Sequence, residues 1–85
     1  MANLDIASAV RTYLATEPVY AGMIPPNLTS DFSLIDSGAL DSIGIFNLVS
    51  FLEKSFSIKI EPQDLNETNF RNIKTIEQFV QSRIA

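Results

Sequence analysis

The spacing of apolar residues predicts that this chain is mainly helical. Residues 42–56 carry the clearest pattern, in which apolar side chains at helical intervals form one buried stripe; these are Ile45, Leu48, Val49, Leu52 and Phe56. Residues 4–15 carry a similar stripe and predict a further helix. Asn3 is the expected N-cap of this helix, with Asp5 in its first turn, where the helix dipole favours a negative charge.

A third main helix is predicted near the end of the sequence. The segment TIEQ at residues 75–78 matches a capping box, in which two residues satisfy each other's backbone donors. The apolar stripe of this helix consists of Ile76, Phe79, Val80 and Ile84. Upstream, residues 62–70 predict short helical turns that place Leu65 and Phe70 in the core. Residues 56–60 alternate between apolar and polar, and without a partner strand they indicate an extended segment against the core.

A long connector joins the first two predicted helices. Pro18 ends the first helix, because proline disfavours helical geometry in the residue before it. Turn-forming residues recur from there to Asp41, and a connection of this length is unusual unless it is pinned or functional. Its apolar members, which we expect to pack on the core, are Met23, Ile24, Leu28, Phe32, Leu34, Ile35 and Leu40. We therefore expect residues 1–85 to form one all-α domain, a small four-helix bundle with three main helices, one short helix and a long first loop.

The composition excludes several classes of function. The 85 residues include no cysteine and no histidine, so there are no disulfides, no thiolate metal sites and no histidine to act as a general base. A net charge of −4 argues against binding to nucleic acid. No apolar run approaches membrane-spanning length, and the first residues lack the basic region of a secretory signal. We expect a cytoplasmic protein that is not an enzyme and binds neither nucleic acid nor membrane.

The dipeptide Asp-Ser occurs twice around the start of the strongest helix. Ser37 is followed by Gly38, which favours a turn. Ser42 follows Asp41 where the helix begins. In one interpretation Asp41 or Ser42 is only an N-cap, which contributes about 1 kcal/mol. In the other, the helix N-terminus presents an exposed hydroxyl at a place where free N–H groups and the dipole also favour a phosphate.

The stretch LIDSGALDSIGIFNLVSFLE, residues 34–53, resembles the acyl carrier and peptidyl carrier protein family. The signature of that family is Asp-Ser and a bulky apolar residue at the start of the second helix, which matches Asp41, Ser42 and Ile43 here. The resemblance extends to the long loop before this triplet, to the closing helix, and to Leu48-Val49, Leu52-Glu53, Phe56, Asp64-Leu65 and Asn69-Phe70. It implies an all-α carrier fold in which Ser42, beside Asp41, bears 4′-phosphopantetheine.

The resemblance also implies a set of partners. A separate phosphopantetheinyl transferase would attach the arm from coenzyme A, and an acyl- or amino-acid-activating ligase would load its thiol as a thioester. A downstream acyltransferase or synthase would remove the acyl or aminoacyl group. The family precedent favours a monomer that carries its cargo and catalyses nothing. A chain without cysteine fits this division of roles between carrier and cofactor, because the cofactor supplies the only thiol that is needed.

Partner contacts are expected next to Ser42. Ile43 and Phe46 lie off the buried stripe, and together with Asn47 they form the predicted partner-binding surface, since binding hot spots favour aromatic anchors. The alternative is that the long connector folds over Ile43 and Phe46, which would make them part of the core.

The charge pattern departs from that of fatty-acid-type carriers, which usually present several acids along the second helix. The positions expected to face solvent here contain one acid and one base; they are Gly44, Asn47, Ser50, Glu53 and Lys54. We therefore expect a specialised carrier that is recognised more through Ile43 and Phe46 than through charge. The other hypothesis is an unmodified helical protein–protein interaction module with a carrier-like fold.

Overall fold

The computed structural model describes residues 5–20, 22–25 and 27–84. This part of the chain contains four α-helices: α1 (Ile6–Thr16), α2 (Ser42–Phe56), α3 (Glu67–Phe70) and α4 (Ile73–Ile84). Two 3₁₀ turns, Pro18–Tyr20 and Pro62–Asp64, precede α2 and α3. No strand occurs in these ranges, so the predicted small all-α bundle is confirmed. None of the helices in the described ranges has the length and apolar content needed to cross a membrane.

One face of each helix contributes to a single core. Its buried side chains are Ile6, Val10 and Leu14 of α1, Leu48 and Leu52 of α2, Phe70 of α3, and Ile73, Ile76, Phe79 and Val80 of α4. Three half-buried members of the predicted α2 stripe, Ile45, Val49 and Phe56, pack against this cluster. Each fully buried aliphatic or aromatic side chain contributes about 1.5–3 kcal/mol, so the apolar faces of the helices account for their packing.

The first helix begins two residues later than the sequence indicates. Asp5 is the N-cap of α1, and its carboxylate accepts a hydrogen bond from the backbone N–H of Ser8 at 3.1 Å. The expectation that Asp5 lies inside the first turn is therefore wrong, because aspartate is among the best N-caps and fits either position. Asn3, the expected cap, lies outside the described residues. The helix ends before Pro18, as predicted.

The last helix begins earlier than the predicted capping box. Asn72 and Thr75 form the reciprocal pair: the Thr75 N–H donates to Asn72 Oδ1 at 2.8 Å, and the Asn72 N–H donates to Thr75 Oγ1 at 3.1 Å. The cap predicted at Thr75 is wrong, because the sequence offers two overlapping caps three residues apart. The earlier start buries Ile73 completely, which favours it.

The middle of the connector is tied to α1 and α4. The Arg11 guanidinium of α1 donates to the carbonyl of Leu28 and, at 2.8 Å, to the hydroxyl of Ser30. The Ser30 carbonyl in turn accepts from the backbone N–H of Lys74, in the first turn of α4, at 3.1 Å. The connector is thus bonded to two helices at one point, which satisfies backbone groups that packing against the core would otherwise leave without partners.

The second half of the connector enters the core. The Leu34 N–H donates to the Arg71 carbonyl at 2.8 Å, and Leu34, Ala39 and Leu40 are buried. The prediction that the connector packs on the core is confirmed for six of its seven predicted members, since Leu34 and Leu40 are buried and four others pack half-buried against the core: Ile24, Leu28, Phe32 and Ile35. Met23, also expected to pack, is exposed. The residues immediately before α2 are therefore held in place by burial.

The segment after α2 packs on the core through Ile58 and Ile60 without forming a helix or a strand, as predicted. Ser57 ends the helix in the left-handed conformation, with φ of 55°, and residues 58–60 follow without helical or strand pairing. Ile60 is buried, and its N–H donates to the Glu53 carboxylate at 2.9 Å. Glu53 therefore binds the backbone of its own chain instead of facing solvent freely.

An ion pair joins the last turn of α4 to the Pro62–Asp64 turn. Asp64 is largely buried, and its carboxylate accepts from Arg83 at 2.7 Å and from the Glu61 N–H at 2.8 Å. The Arg83 guanidinium also lies 4.8 Å from the ring centroid of Phe79. Two hydrogen bonds hold the pKa of Asp64 below its usual range; the one from Arg83 has the larger effect, and the one from the Glu61 N–H has the smaller effect.

Two residues that the sequence places in the core are exposed. Leu65 is exposed, whereas its neighbour Asp64 is the residue of that turn that is buried. Ile84 is exposed at the last residue of α4, beyond the buried positions Phe79 and Val80.

The lowered pKa of Asp64 predicts how stability depends on pH. The ionised carboxylate stabilises the fold above the ordinary carboxyl pKa, and this contribution is lost as the pH falls through the lowered value in the folded state. We expect Asp64→Asn to be less stable than the wild type at about pH 7 and the difference to shrink below about pH 4. Urea unfolding of both proteins at pH values from about 7 to below about 4 measures this difference in stability. Asp36→Asn, at an exposed position, is the control and should stay within about 0.5 kcal/mol of the wild type. A gap that is independent of pH would contradict this role for the ion pair.

Candidate functional site

Ser42 is the first residue of α2, and its side chain is exposed. Asp41 caps the helix: its Oδ1 accepts from the Gly44 N–H at 2.8 Å, and its carbonyl accepts from the Ile45 N–H at 2.8 Å. The hydrogen bonds among the described residues do not involve the Ser42 hydroxyl. Of the two residues considered for the cap, Asp41 is therefore the one that acts, and the Ser42 hydroxyl has no part in it.

Ser37 is in a different position from Ser42. Its hydroxyl donates to the Leu34 carbonyl at 3.2 Å and accepts from the Ala39 N–H at 3.3 Å. The following residue, Gly38, has φ of 86°, a conformation that glycine adopts without strain. Ser37 thus stabilises a turn, as the sequence indicates, and its hydroxyl is already bonded on both sides.

Tyr20, which lies in the connector, binds the first turn of α2. It is 1% exposed, and its hydroxyl donates to the Gly44 carbonyl at 2.7 Å. A Cβ atom at position 44 would lie 3.1 Å from the Tyr20 ring, closer than side-chain packing ordinarily allows. Burial, the largest cause, raises the pKa of Tyr20 well above its usual value, so the hydroxyl stays protonated and remains a donor even at a pH where an exposed tyrosine ionises.

The position of Gly44 differs from the prediction. The sequence places Gly44 among the solvent-facing residues, but it is buried under Tyr20. Periodicity did not find this contact because Tyr20 lies in the connector, outside any helical stripe. The only signal in the sequence is a bulky aromatic residue two positions after Pro18, in a segment rich in turn-formers.

A second tyrosine bonds α2 one turn further along. The Tyr13 hydroxyl of α1 donates to the Asn47 carbonyl at 3.1 Å. Its ring stacks on Phe51 with centroids 4.2 Å apart, and it meets the edge of Tyr20 at 5.7 Å. Such aromatic pairs each contribute about 0.5–1.5 kcal/mol beyond their buried area. These contacts fix α2 against α1.

The residues predicted to bind partners lie beside Ser42. Ile43 is 64% exposed and Phe46 is 69% exposed, so the alternative in which the connector covers them is wrong. Asn47 is half-buried, and its amide donates to the Ile43 carbonyl at 3.0 Å. Ile43 and Phe46 therefore form an exposed apolar pair next to the hydroxyl, with Asn47 at its edge.

Charge on α2 is sparse at this surface. The only charged residues of the helix are Glu53 and Lys54. Glu53 is partly buried and bonded to the Ile60 N–H, which leaves Lys54 as the exposed charge. The nearest exposed acids in sequence lie before Ser42, at Asp36 and Asp41.

No protein-family model and no curated protein matches this sequence. Support for a function therefore comes from the residues themselves and from their geometry.

The packing of Tyr20 predicts an unusual response at position 44. Gly→Ala within a helix normally stabilises by up to about 1 kcal/mol. Here the new methyl group meets the buried Tyr20 ring at 3.1 Å and the Asp41 carboxylate at 3.3 Å, so we expect Gly44→Ala to lower the free energy of unfolding by about 1 kcal/mol. Chemical denaturation measures the change. Ser50→Ala, at an exposed position of the same helix, should be neutral or slightly stabilising. A more stable Gly44→Ala protein would show that Tyr20 does not pack tightly there.

Proposed function

We propose that this chain is a carrier protein whose Ser42 bears a 4′-phosphopantetheine arm. The observation that carries the proposal is the exposed Ser42 hydroxyl, left out of the cap by Asp41, at the first residue of a 15-residue helix. The triplet of Asp41, Ser42 and Ile43 is the one in which the family resemblance places the modified serine.

The residues present fit a phosphodiester at this point. The first N–H groups of a helix lack partners within it, and with the helix dipole they favour a bound phosphate. Asp41 binds the N–H groups of Gly44 and Ile45, so those of Ser42 and Ile43 would be the ones left to bind a phosphate on the Ser42 oxygen. When bound, the arm supplies a thiol that forms a thioester with an acyl or aminoacyl group.

Attachment requires a partner enzyme, because the chain has no histidine to activate Ser42. In the transferase, the serine oxygen would form a bond to the phosphorus of the pantetheine phosphate as the pyrophosphate bond of coenzyme A breaks. Adenosine 3′,5′-bisphosphate leaves, and the serine proton is released. An activating ligase and a downstream acyltransferase or synthase complete the set of partners. A monomeric state and a cytoplasmic location belong to the same proposal, by family precedent.

The surface of α2 favours a specialised carrier. Since Glu53 is bonded to the chain's own backbone, the exposed face of α2 lacks the row of acids that fatty-acid-type carriers present. Ile43 and Phe46 remain as the exposed features beside Ser42, and apolar anchors of this kind dominate binding energy in interfaces.

A second function fits one of these observations. An unmodified interaction module would also expose Ile43 and Phe46, and it would need nothing from the Ser42 hydroxyl. The two functions differ in whether Ser42 is modified.

Modification of Ser42 is tested by intact mass. The protein is incubated with coenzyme A and a broad-specificity phosphopantetheinyl transferase, and we expect a gain of one phosphopantetheine in the wild type and none in Ser42→Ala. Because Asp41 provides the cap, Ser42→Ala should remain folded, with stability within about 0.5 kcal/mol of the wild type.

Ser37→Ala is the matched control for this experiment. It removes the same hydroxyl from the other Asp-Ser pair and should still be modified. No gain of mass in a folded wild type would exclude the carrier proposal and favour the interaction module.

The exposed apolar pair predicts how the transferase recognises the chain. We expect Ile43→Ser combined with Phe46→Ser to lower kcat/KM for phosphopantetheine transfer by about tenfold or more, since truncated hot spots cost above about 1 kcal/mol. Stability should change by no more than about 0.5 kcal/mol, because both side chains are exposed. Leu65→Ser, at another exposed apolar position, should not affect transfer. An unchanged kcat/KM in the double variant would remove this pair from the recognition surface.

A further inference from the structure

We infer that Tyr20 is a positioning residue for Ser42: by binding Gly44 it holds the first turn of α2 in the orientation that presents the Ser42 hydroxyl to a transferase. This inference rests on the proposed function and adds to it a residue that lies outside the helix, in the connector. Tyr20 does not touch the reacting atoms, and it acts through Gly44.

The first turn of α2 needs such a support. Helix termini open more readily than helix centres, because their backbone groups have fewer partners. The Asp41 cap is local and moves together with the turn, since both of its bonds go to residues of that turn, Gly44 and Ile45. The bond from Tyr20 comes from another part of the fold, so it can set the position of the turn relative to the rest of the molecule.

Tyr20 links the end of α1 to the first turn of α2. Its own N–H donates to the carbonyl of Glu17, the C-cap residue directly after α1, at 3.1 Å, and its carbonyl accepts from the Met23 N–H at 3.0 Å. The backbone of Tyr20 is thus held by a short hydrogen-bonded turn directly after α1, and its side chain reaches from there to α2. The Gly44 carbonyl that it binds lies two residues from Ser42, within the same helical turn.

The contact at Gly44 is both polar and steric. The hydroxyl bond of 2.7 Å fixes the carbonyl, while the ring edge lies where any side chain at position 44 would begin. A transferase requires the serine oxygen in line with the phosphorus, and misplacement of a reacting group by about 1 Å can cost up to a hundredfold in rate. A turn held from one side only by its own cap would sample more orientations.

The chain offers a matched control in Tyr13. Its hydroxyl also donates to a carbonyl of α2, that of Asn47, but one turn further from Ser42. Tyr13→Phe and Tyr20→Phe each remove one oxygen and one such bond. If Tyr20 has a purely structural role, the two variants should have similar amide exchange and similar rates of transfer to Ser42. If Tyr20 positions Ser42, only Tyr20→Phe should change the exchange of the first turn and the rate of transfer.

The experiment compares these two variants with the wild type. In Tyr20→Phe we expect amide exchange at Gly44 and Ile45 to be about fivefold faster, the change that one buried hydrogen bond typically makes in an equilibrium. We expect kcat/KM for phosphopantetheine transfer to Ser42 to fall about two- to fivefold, because a turn that Tyr20 no longer holds presents the serine oxygen less accurately in line with the phosphorus. Tyr13→Phe should leave both quantities at the wild-type values. Gly44→Ala, which displaces the ring and keeps the hydroxyl, should reproduce both effects of Tyr20→Phe.

The outcomes separate this inference from the carrier proposal. If the wild type is modified and Tyr20→Phe reacts at the wild-type rate, or no more slowly than Tyr13→Phe, the positioning role is overturned and the carrier function stands. If the folded wild type is not modified at all, the carrier proposal fails and the positioning role fails with it. Exchange at Gly44 and Ile45 still reports in that case whether Tyr20 holds the turn.

Discussion

The hydrogen bond between the buried Tyr20 hydroxyl and the Gly44 carbonyl determines where the connector meets α2. A long connector loses much conformational entropy when it is ordered, and this cost has to be offset by contacts along its length. Tyr20 makes such a contact near the beginning of the connector. In the middle, Ser30 is hydrogen-bonded to α1 and α4, and at the end Leu40 is buried in the core. The start of α2 is consequently part of the packed fold and is not the tip of a free loop.

The chemistry available at Ser42 follows from a division of roles between neighbours. Asp41 satisfies the backbone of the first turn, so the hydroxyl of Ser42 is exposed and has no structural task. At Ser37 the same pair of residue types gives the opposite result, because the serine side chain itself closes the turn. Exposure of Ile43 and Phe46 then places an apolar surface beside the Ser42 hydroxyl.

The parts of this structure that depend on local pattern could be predicted from the sequence. The bounds of α2 and the exposure of Phe46 follow from helical periodicity, which fixes the buried face and therefore the opposite one. The contact of Tyr20 with Gly44 joins residues that are 24 positions apart, and no periodic signal reports it. The burial of Asp64 likewise depends on a distant partner, Arg83. The start of α4 was missed for another reason, because two capping sequences overlap and only packing decides between them.

The central claim is that Ser42, and not Ser37, carries the cofactor in the cell. Its most direct test is mass spectrometry of the protein isolated from its own cells and cleaved on the N-terminal side of aspartate, which separates residues 36–40 from residues 41–63. We expect a phosphopantetheine on the peptide of residues 41–63, located at Ser42, and an unmodified peptide of residues 36–40. Recovery of the peptide of residues 41–63 in unmodified form alone would contradict the proposed carrier function.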